Sequence, residues 1–185
     1  GMINTLRQDP QALDSLWISI ITFDREVNEI CPLTELAMFQ LPEITCPQSG
    51  PTHTGKALEL LYTKVQSDIK RSTENRKGDW KPLVFIMTDG IPTDNWESGL
   101  AEFKKVKTAF TVACAAGGGA DTNVLKQITD NVVSLENADS SSIGKFFQWV
   151  TASIGVTSTK IEDLGREFTN VKELPPPPSE LNIVV

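Results

Sequence analysis

A strand followed by a carboxylate is the first feature with chemical potential. Residues 85–90 (FIMTDG) form an apolar run that ends at Asp89, and Gly90 follows. Glycine permits a tight turn and a close backbone approach. Hard divalent cations such as Mg²⁺ take oxygen ligands and keep several waters, so Asp89 at a strand end suits a metal site. The same Thr-Asp-Gly run also suits an ordinary turn in which Asp89 bonds the local backbone.

A second segment, residues 49–58 (SGPTHTGKAL), places hydroxyl groups where a long helix begins. Either Thr52 or Thr54 could serve only as the helix cap. A sharper interpretation assigns Thr52 to a metal and capping to Thr54. The neighbours on the ligand face would be Ser49, Gly50, His53 and Gly90. His53, the only histidine, could contact an acidic ligand, although a solvent-exposed loop residue is the commoner case.

Strands and helices alternate along the chain in a way that positions these loops. Apolar, β-branched runs predict strands over 16–23, 82–88, 110–116 and 132–135, with a weaker edge strand over 26–31 closed by Pro32. Helical spacing predicts helices over 2–6, 55–73, 96–107, 121–129 and 143–154. This order predicts an α/β fold, a doubly wound and mostly parallel sheet with helices on both faces. Ligands of such folds bind beyond the carboxyl ends of the strands, where Asp89 would lie.

Three further expectations concern single side chains and one strand. The nearly continuous apolarity of residues 16–23 predicts a strand covered on both faces. Asp94 is expected to serve as a turn residue or as the cap of the helix that begins at Trp96. Trp80 could be partly exposed near the ligand face, but packing against the core or a helix is the commoner case.

Composition limits the classes of partner. The 185 residues carry a net charge of −7, which disfavours a nucleic-acid partner and suits cations or basic protein surfaces. The sequence has no apolar run long enough to span a membrane. Its three cysteines form no CxxC pair and it has a single histidine, so a structural zinc site is not expected. The odd number of cysteines without a disulfide framework indicates a reducing compartment.

A change in composition predicts a boundary after residue 156. Residues 2–156 would form the α/β domain and residues 157–185 a C-terminal tail, in which 157–169 could be helical and Pro175–Pro178 must be extended. Two possibilities stay open for this tail. It could be poorly ordered, or it could dock on this domain or on a partner.

The two loop segments together resemble a known family. The strand with Thr-Asp-Gly and the Ser-Gly-x-Thr-x-x-Gly-x-Ala-Leu run are similar to the third and second loops of the metal-ion-dependent adhesion site (MIDAS) of von Willebrand factor A (VWA) domains. The resemblance is closer still to the bacterial TerY-like subfamily associated with tellurite resistance, over residues 2 to about 156. The segments that carry it are 6–10 (LRQDP), 21–24 (ITFD), 32–36 (PLTEL), 77–84 (KGDWKPLV), 113–117 (ACAAG) and 145–150 (KFFQWV).

The resemblance implies a function and a ligand set. Thr52 would bind the metal through its hydroxyl, and Asp89 would bind it directly or through water. Mg²⁺, Mn²⁺ or Ca²⁺ would be the cation in the complete domain, and a carboxylate of a protein partner would complete its shell. The implied function is a non-enzymatic protein-interaction module of a cytoplasmic tellurite-resistance and stress-response system.

One departure from the family pattern leads to further expectations. The first MIDAS loop, Asp-x-Ser-x-Ser, and the central strand before it have no counterpart in this sequence, so we expect that the domain is truncated at its N-terminus or that another chain supplies the strand. The chain alone should then bind metal weakly or not at all, and exposed sheet edges should favour a homodimer. A metal-free scaffold is the first alternative. A metal-dependent phosphotransferase using Asp89 is the second, although Ile91 replaces the second aspartate of such enzymes.

Overall fold

A computed structural model describes residues 1–45, 50–164 and 173–184, with the backbone alone for 158–164, and the chain divides into two compact units. Unit 1 comprises residues 1–12, 82–91 and 108–185, and unit 2 comprises residues 13–81 and 92–107. In chain order the elements are α1 (Met2–Leu6), α2 (Pro10–Ser15), β1 (Trp17–Phe23), β2 (Val27–Glu35), α3 (Thr54–Asp68), β3 (Leu83–Thr88), α4 (Trp96–Phe103), β4 (Phe110–Ala116), α5 (Thr122–Ile128), β5 (Val132–Leu135), α6 (Ser140–Leu164) and β6 (Leu181–Val184).

The sheet of unit 1 has the order β3-β4-β5-β6. Its first three strands are parallel, and β6 pairs antiparallel with β5. All seven residues of β4 are buried, because this strand lies between two neighbours and carries small or β-branched side chains that pack closely. The predicted α/β class with a mostly parallel sheet is confirmed.

The C-terminal segment of unit 1 docks on this sheet. β6 forms an edge strand, and both Leu174 and Leu181 are buried. The indole N–H of Trp149 donates to the carbonyl oxygen of Pro175 at 2.8 Å. Of the two possibilities left open for the tail, its described residues adopt the docked one. The predicted boundary after residue 156 falls within α6, which continues to Leu164.

The two strands of unit 2 form an antiparallel hairpin that differs from the prediction. β1 was expected to be covered on both faces, yet two of its seven residues are exposed and Trp17 is 51% exposed. The expectation that Pro32 ends β2 is also wrong, because the strand continues to Glu35. The hairpin has irregular register between Ile18 and Ile20, and proline is tolerated at such irregularities and at strand edges, where its missing N–H breaks no ladder bond.

Helix α3 packs on this hairpin and is shorter than predicted. The side chain of Lys64 in α3 forms an ion pair with Glu29 of β2. The helix ends at Asp68 rather than near residue 73, and Ile69 is already extended. Near the N-terminus, helix α2 was not predicted. It begins at Pro10, because proline suits the first helical turn. The Asp9 carboxylate accepts from the Gln11 N–H at 2.9 Å.

Candidate functional site

Asp89 lies directly after β3 in unit 1, at the position predicted for it. The strand alternates half-buried and buried residues, and Asp89 itself is exposed. The buried Thr88 shapes the turn, because its hydroxyl accepts from the Gly90 N–H at 3.3 Å. Gly90 is half-buried beside it. The carboxylate is therefore presented to solvent at the carboxyl end of a parallel strand, where oxygen ligands of cations are commonly found.

The glycines after β4 contribute to this turn in a way that the sequence did not reveal. Gly117 has φ +79°, a conformation that L side chains rarely adopt. A Cβ atom on Gly119 would lie 2.4 Å from the carbonyl oxygen of Asp89. The role of these glycines is to let the loop approach the backbone of Asp89, and the signal for it was only the triple glycine after a strand.

Thr52 lies in unit 2, where its backbone is paired with Thr93. The Thr93 N–H donates to the Thr52 carbonyl oxygen at 2.9 Å, and the Thr52 N–H donates to the Thr93 hydroxyl at 2.9 Å. The next residue is held as well, because the His53 N–H donates to the carbonyl oxygen of Asp24 at 2.9 Å. The hydroxyl of Thr52 makes no hydrogen bond among the described residues, so it is available as a ligand.

The start of α3 corrects two expectations about capping. Thr54 was expected to cap the helix, but it is the first helical residue and is 1% exposed, with no hydrogen-bond partner for its hydroxyl among the described residues. Asp94 was expected to be a turn residue or the cap of α4. Its carbonyl oxygen accepts from the Trp96 N–H at 2.9 Å, as in a turn. Its carboxylate does not cap α4 but accepts from the N–H groups of Gly55 at 3.1 Å and Lys56 at 2.9 Å, and it therefore caps α3.

Glycines allow α3 and α4 to approach each other closely beside this cap. A Cβ atom on Gly99 would lie 2.1 Å from the carbonyl oxygen of Gly55, and one on Gly55 would lie 2.6 Å from the Cα of Trp96. No other residue fits at either position without moving backbone. The contact fixes the α3 N-terminus, and with it Thr52, against the segment that carries Thr93 and Asp94.

The remaining predicted neighbours have different positions. Ser49 lies outside the described residues, and Gly50 is exposed. His53 was expected to be a solvent-exposed loop residue and is instead half-buried, with Nδ1 buried and without a hydrogen-bond partner among the described residues. This correction follows from the bond to Asp24, which draws the histidine backbone toward the hairpin.

The residues that could hold a cation supply only a few oxygens. Over the described part of the chain, no group of three or more His, Cys, Asp or Glu side chains is arranged to hold a metal ion. Thr52 and Asp89 belong to different units, and each offers one hard oxygen donor of the kind that Mg²⁺ accepts. Each side chain by itself suits a cation that takes most of its ligands from elsewhere.

The fold and its loops define an α/β domain with polar loops after its parallel strands. The model of the von Willebrand factor type A domain family matches residues 2–149, and the chain belongs to this family. No match was found among curated proteins or solved structures. No helix within the described ranges is long and apolar enough to cross a membrane.

Proposed function

We propose that the chain is a protein-interaction module in which Thr52 and Asp89 are ligands of a divalent cation. The observation that carries the proposal is that both side chains have an oxygen available as a ligand. Thr52 has both backbone groups engaged with Thr93 while its hydroxyl remains unbonded among the described residues. Asp89 is exposed at the end of a parallel strand. Each loop thus carries an oxygen ligand that makes no hydrogen bond among the described residues.

The proposed cation is Mg²⁺, with Mn²⁺ or Ca²⁺ as substitutes. A hydroxyl and a carboxylate satisfy only part of an octahedral shell, and Mg²⁺ retains waters at its other positions. A carboxylate from a protein partner can replace one of these waters. Binding by the chain alone should therefore be weak and should strengthen when a carboxylate is supplied.

Calorimetric titration with Mn²⁺ tests the ligand assignment. Binding should be lost in Thr52→Val, which removes only the hydroxyl, and in Asp89→Asn, which removes only the charge. Thr63→Val and Asp130→Asn are matched controls at exposed positions and should bind like the wild-type chain. Adding acetate should tighten binding by the wild-type chain. Equal binding by all five proteins would reject Thr52 and Asp89 as ligands.

A metal-free scaffold is the second candidate, since no cluster of three acidic, histidine or cysteine side chains lies within the described segments. Absence of Mn²⁺ binding by every protein, with partner binding retained, would favour it. Turnover of a generic phosphate ester that disappears in Asp89→Asn would instead indicate a phosphotransferase.

The finer assignment that we propose is the TerY-like group of VWA proteins, acting in a cytoplasmic tellurite-resistance and stress-response system. It is supported by segments outside the two loops, such as 21–24 (ITFD), 77–84 (KGDWKPLV) and 145–150 (KFFQWV). A strain without the gene should grow less well on tellurite than its parent, and the wild-type gene should restore growth. Equal growth of the two strains would reject the assignment.

We further propose self-association through the sheet edges. Among the described residues, β3 pairs only with β4 and β1 pairs only with β2, so each strand has an edge with unpaired backbone groups. Such edges favour pairing with another strand, which a second copy or a strand from outside residues 1–185 could supply. Sedimentation should show a dimer, and a monomer at all accessible concentrations would contradict it.

A further inference from the structure

A basic loop connects α3 to β3 in an otherwise acidic protein. Residues 70–81, hereafter the basic loop, are exposed apart from the half-buried Gly78. They contain five cationic side chains, Lys70, Arg71, Arg76, Lys77 and Lys81, and two acidic ones, Glu74 and Asp79. The loop thus has a net charge of +3 while the whole chain has −7, so the other residues together carry −10.

Hydrogen bonds give the basic loop a defined shape. The Asp79 N–H donates to the Lys70 carbonyl oxygen at 2.9 Å, and the Asp79 carboxylate accepts from the Lys70 N–H at 2.8 Å. The Gly78 N–H donates to the Ser72 hydroxyl at 2.9 Å. At the tip, the backbones of Thr73 and Arg76 pair with each other. One of the two acidic side chains is therefore used to close the loop.

The loop shape also depends on the absence of a side chain at Gly78. A Cβ atom there would lie 2.4 Å from the Ser72 nitrogen and 2.7 Å from the Lys70 carbonyl oxygen. Both neighbours are backbone atoms, which cannot rotate away as a flexible side chain could. Substitution of Gly78 therefore changes the shape of the loop while leaving its charge unaltered.

Three of the five positive charges of the basic loop have no acidic partner among the described residues. Lys70, Arg76 and Lys77 form no ion pair with any described residue. The Lys77 ammonium lies 5.2 Å from the centroid of the Trp80 ring, within the range of a cation–π contact. Trp80 was expected to pack against the core or a helix, with partial exposure as the alternative. It is 55% exposed, so a large aromatic surface lies beside the Lys77 ammonium.

We propose that the basic loop is a docking site for an acidic polypeptide segment, with Trp80 contacting an apolar side chain of that segment. Carboxylates form charge-assisted hydrogen bonds with arginine and lysine, and tryptophan and arginine are the residue types that contribute most often to protein interfaces. Polypeptide is favoured over nucleic acid because the −10 charge of the other residues repels a long phosphate backbone. This site is independent of the metal ligands.

Fluorescence anisotropy with a labelled glutamate-rich peptide that contains one central phenylalanine tests the role of charge. The double variant Arg76→Glu/Lys77→Glu should bind about tenfold more weakly, since two exposed ion pairs of about 0.7 kcal/mol each are lost. Lys104→Glu/Lys107→Glu makes the same charge change at exposed positions after α4 and should bind nearly as well as wild type. Equal weakening in both double variants would overturn the proposal.

Two neutral substitutions test whether the loop acts as a shaped site. Trp80→Ala and Gly78→Ala should both weaken peptide binding at unchanged charge. Gly144→Ala is the control, because a Cβ atom there meets nothing within 4 Å. Circular dichroism checks that each variant is folded. Unchanged binding in both loop variants, no binding by wild type, or tighter binding of a single-stranded oligonucleotide than of the peptide would each overturn the proposal.

Discussion

The carboxylate of Asp94 lies 2.9 Å from the backbone nitrogen of Lys56, a residue 38 positions earlier in the chain. Helix α3 is thus capped by a side chain from the segment that precedes α4. The same segment pairs with Thr52 through Thr93. Residues 93–94 therefore fix both the start of the helix and the proposed ligand before it. Substitutions at Asp94 should therefore destabilise the N-terminus of α3.

Replacing Asp94 with alanine should lower the free energy of unfolding. The substitution leaves two N–H groups at the start of α3 without their acceptor, and loss of an N-terminal cap costs about 0.5–2 kcal/mol. Urea denaturation measures the change. Asp94→Asn should retain only part of the stability, because the two bonds end on different carboxylate oxygens and the amide keeps only one acceptor oxygen. Asp130→Ala, at an exposed position, should change little, and an equal loss there would contradict the capping role.

Gly99→Ala should destabilise the protein through the contact of α4 with α3. The added Cβ would lie 2.1 Å from the carbonyl oxygen of Gly55, so the helices must separate. Overpacking of this kind costs about 1–3 kcal/mol. Gly144→Ala in α6 provides the opposite case, because there is open space at that position and alanine favours a helix by about 0.5–1 kcal/mol. Thermal unfolding should show shifts of opposite sign, and a neutral Gly99→Ala would refute the close contact.

The buried strands were the part of the fold that the sequence predicted best. The bounds of β4 and β5 agree with the predicted 110–116 and 132–135, because strands that are mostly buried consist mainly of apolar residues. Local sequence patterns did not predict elements whose secondary structure depends on tertiary pairing. β6 was not predicted, since four residues after a proline run acquire strand geometry only by pairing with β5.

The candidate site was predicted only in part for a similar reason. Thr52 and Asp89 were identified because each lies beside a strong local signal, a helix start and a strand end. The cap by Asp94 joins residues far apart in sequence, and no local pattern indicates such a partner. The approach of Gly119 to Asp89 likewise depends on two loops after adjacent parallel strands.

Trp149→Phe should loosen the C-terminal segment. The substitution removes the donor to the Pro175 carbonyl oxygen, and a hydrogen bond of this kind contributes about 1 kcal/mol. The substitution should accelerate amide hydrogen exchange more in β6 than in β4. Exchange in β4 reports global unfolding. Phe147→Leu is the control on the exposed side of α6. Equal changes in exchange across both strands would show that Trp149 stabilises the unit as a whole rather than the docked segment.

Burial raises the pKa of the Cys114 thiol from 9.0 to about 12, because the central strand β4 excludes water from the thiolate. The folded chain thus keeps this proton over a pH range in which the unfolded chain releases it, so stability should fall as pH rises above about 9. At pH 10 the loss from this group should be about 1.4 kcal/mol. Urea midpoints measured from pH 8 to 10 should decline more steeply for the wild-type chain than for Cys114→Ala. Iodoacetamide at pH 8 should modify Cys114 only in urea, and rapid modification of this residue in the folded chain would contradict its burial.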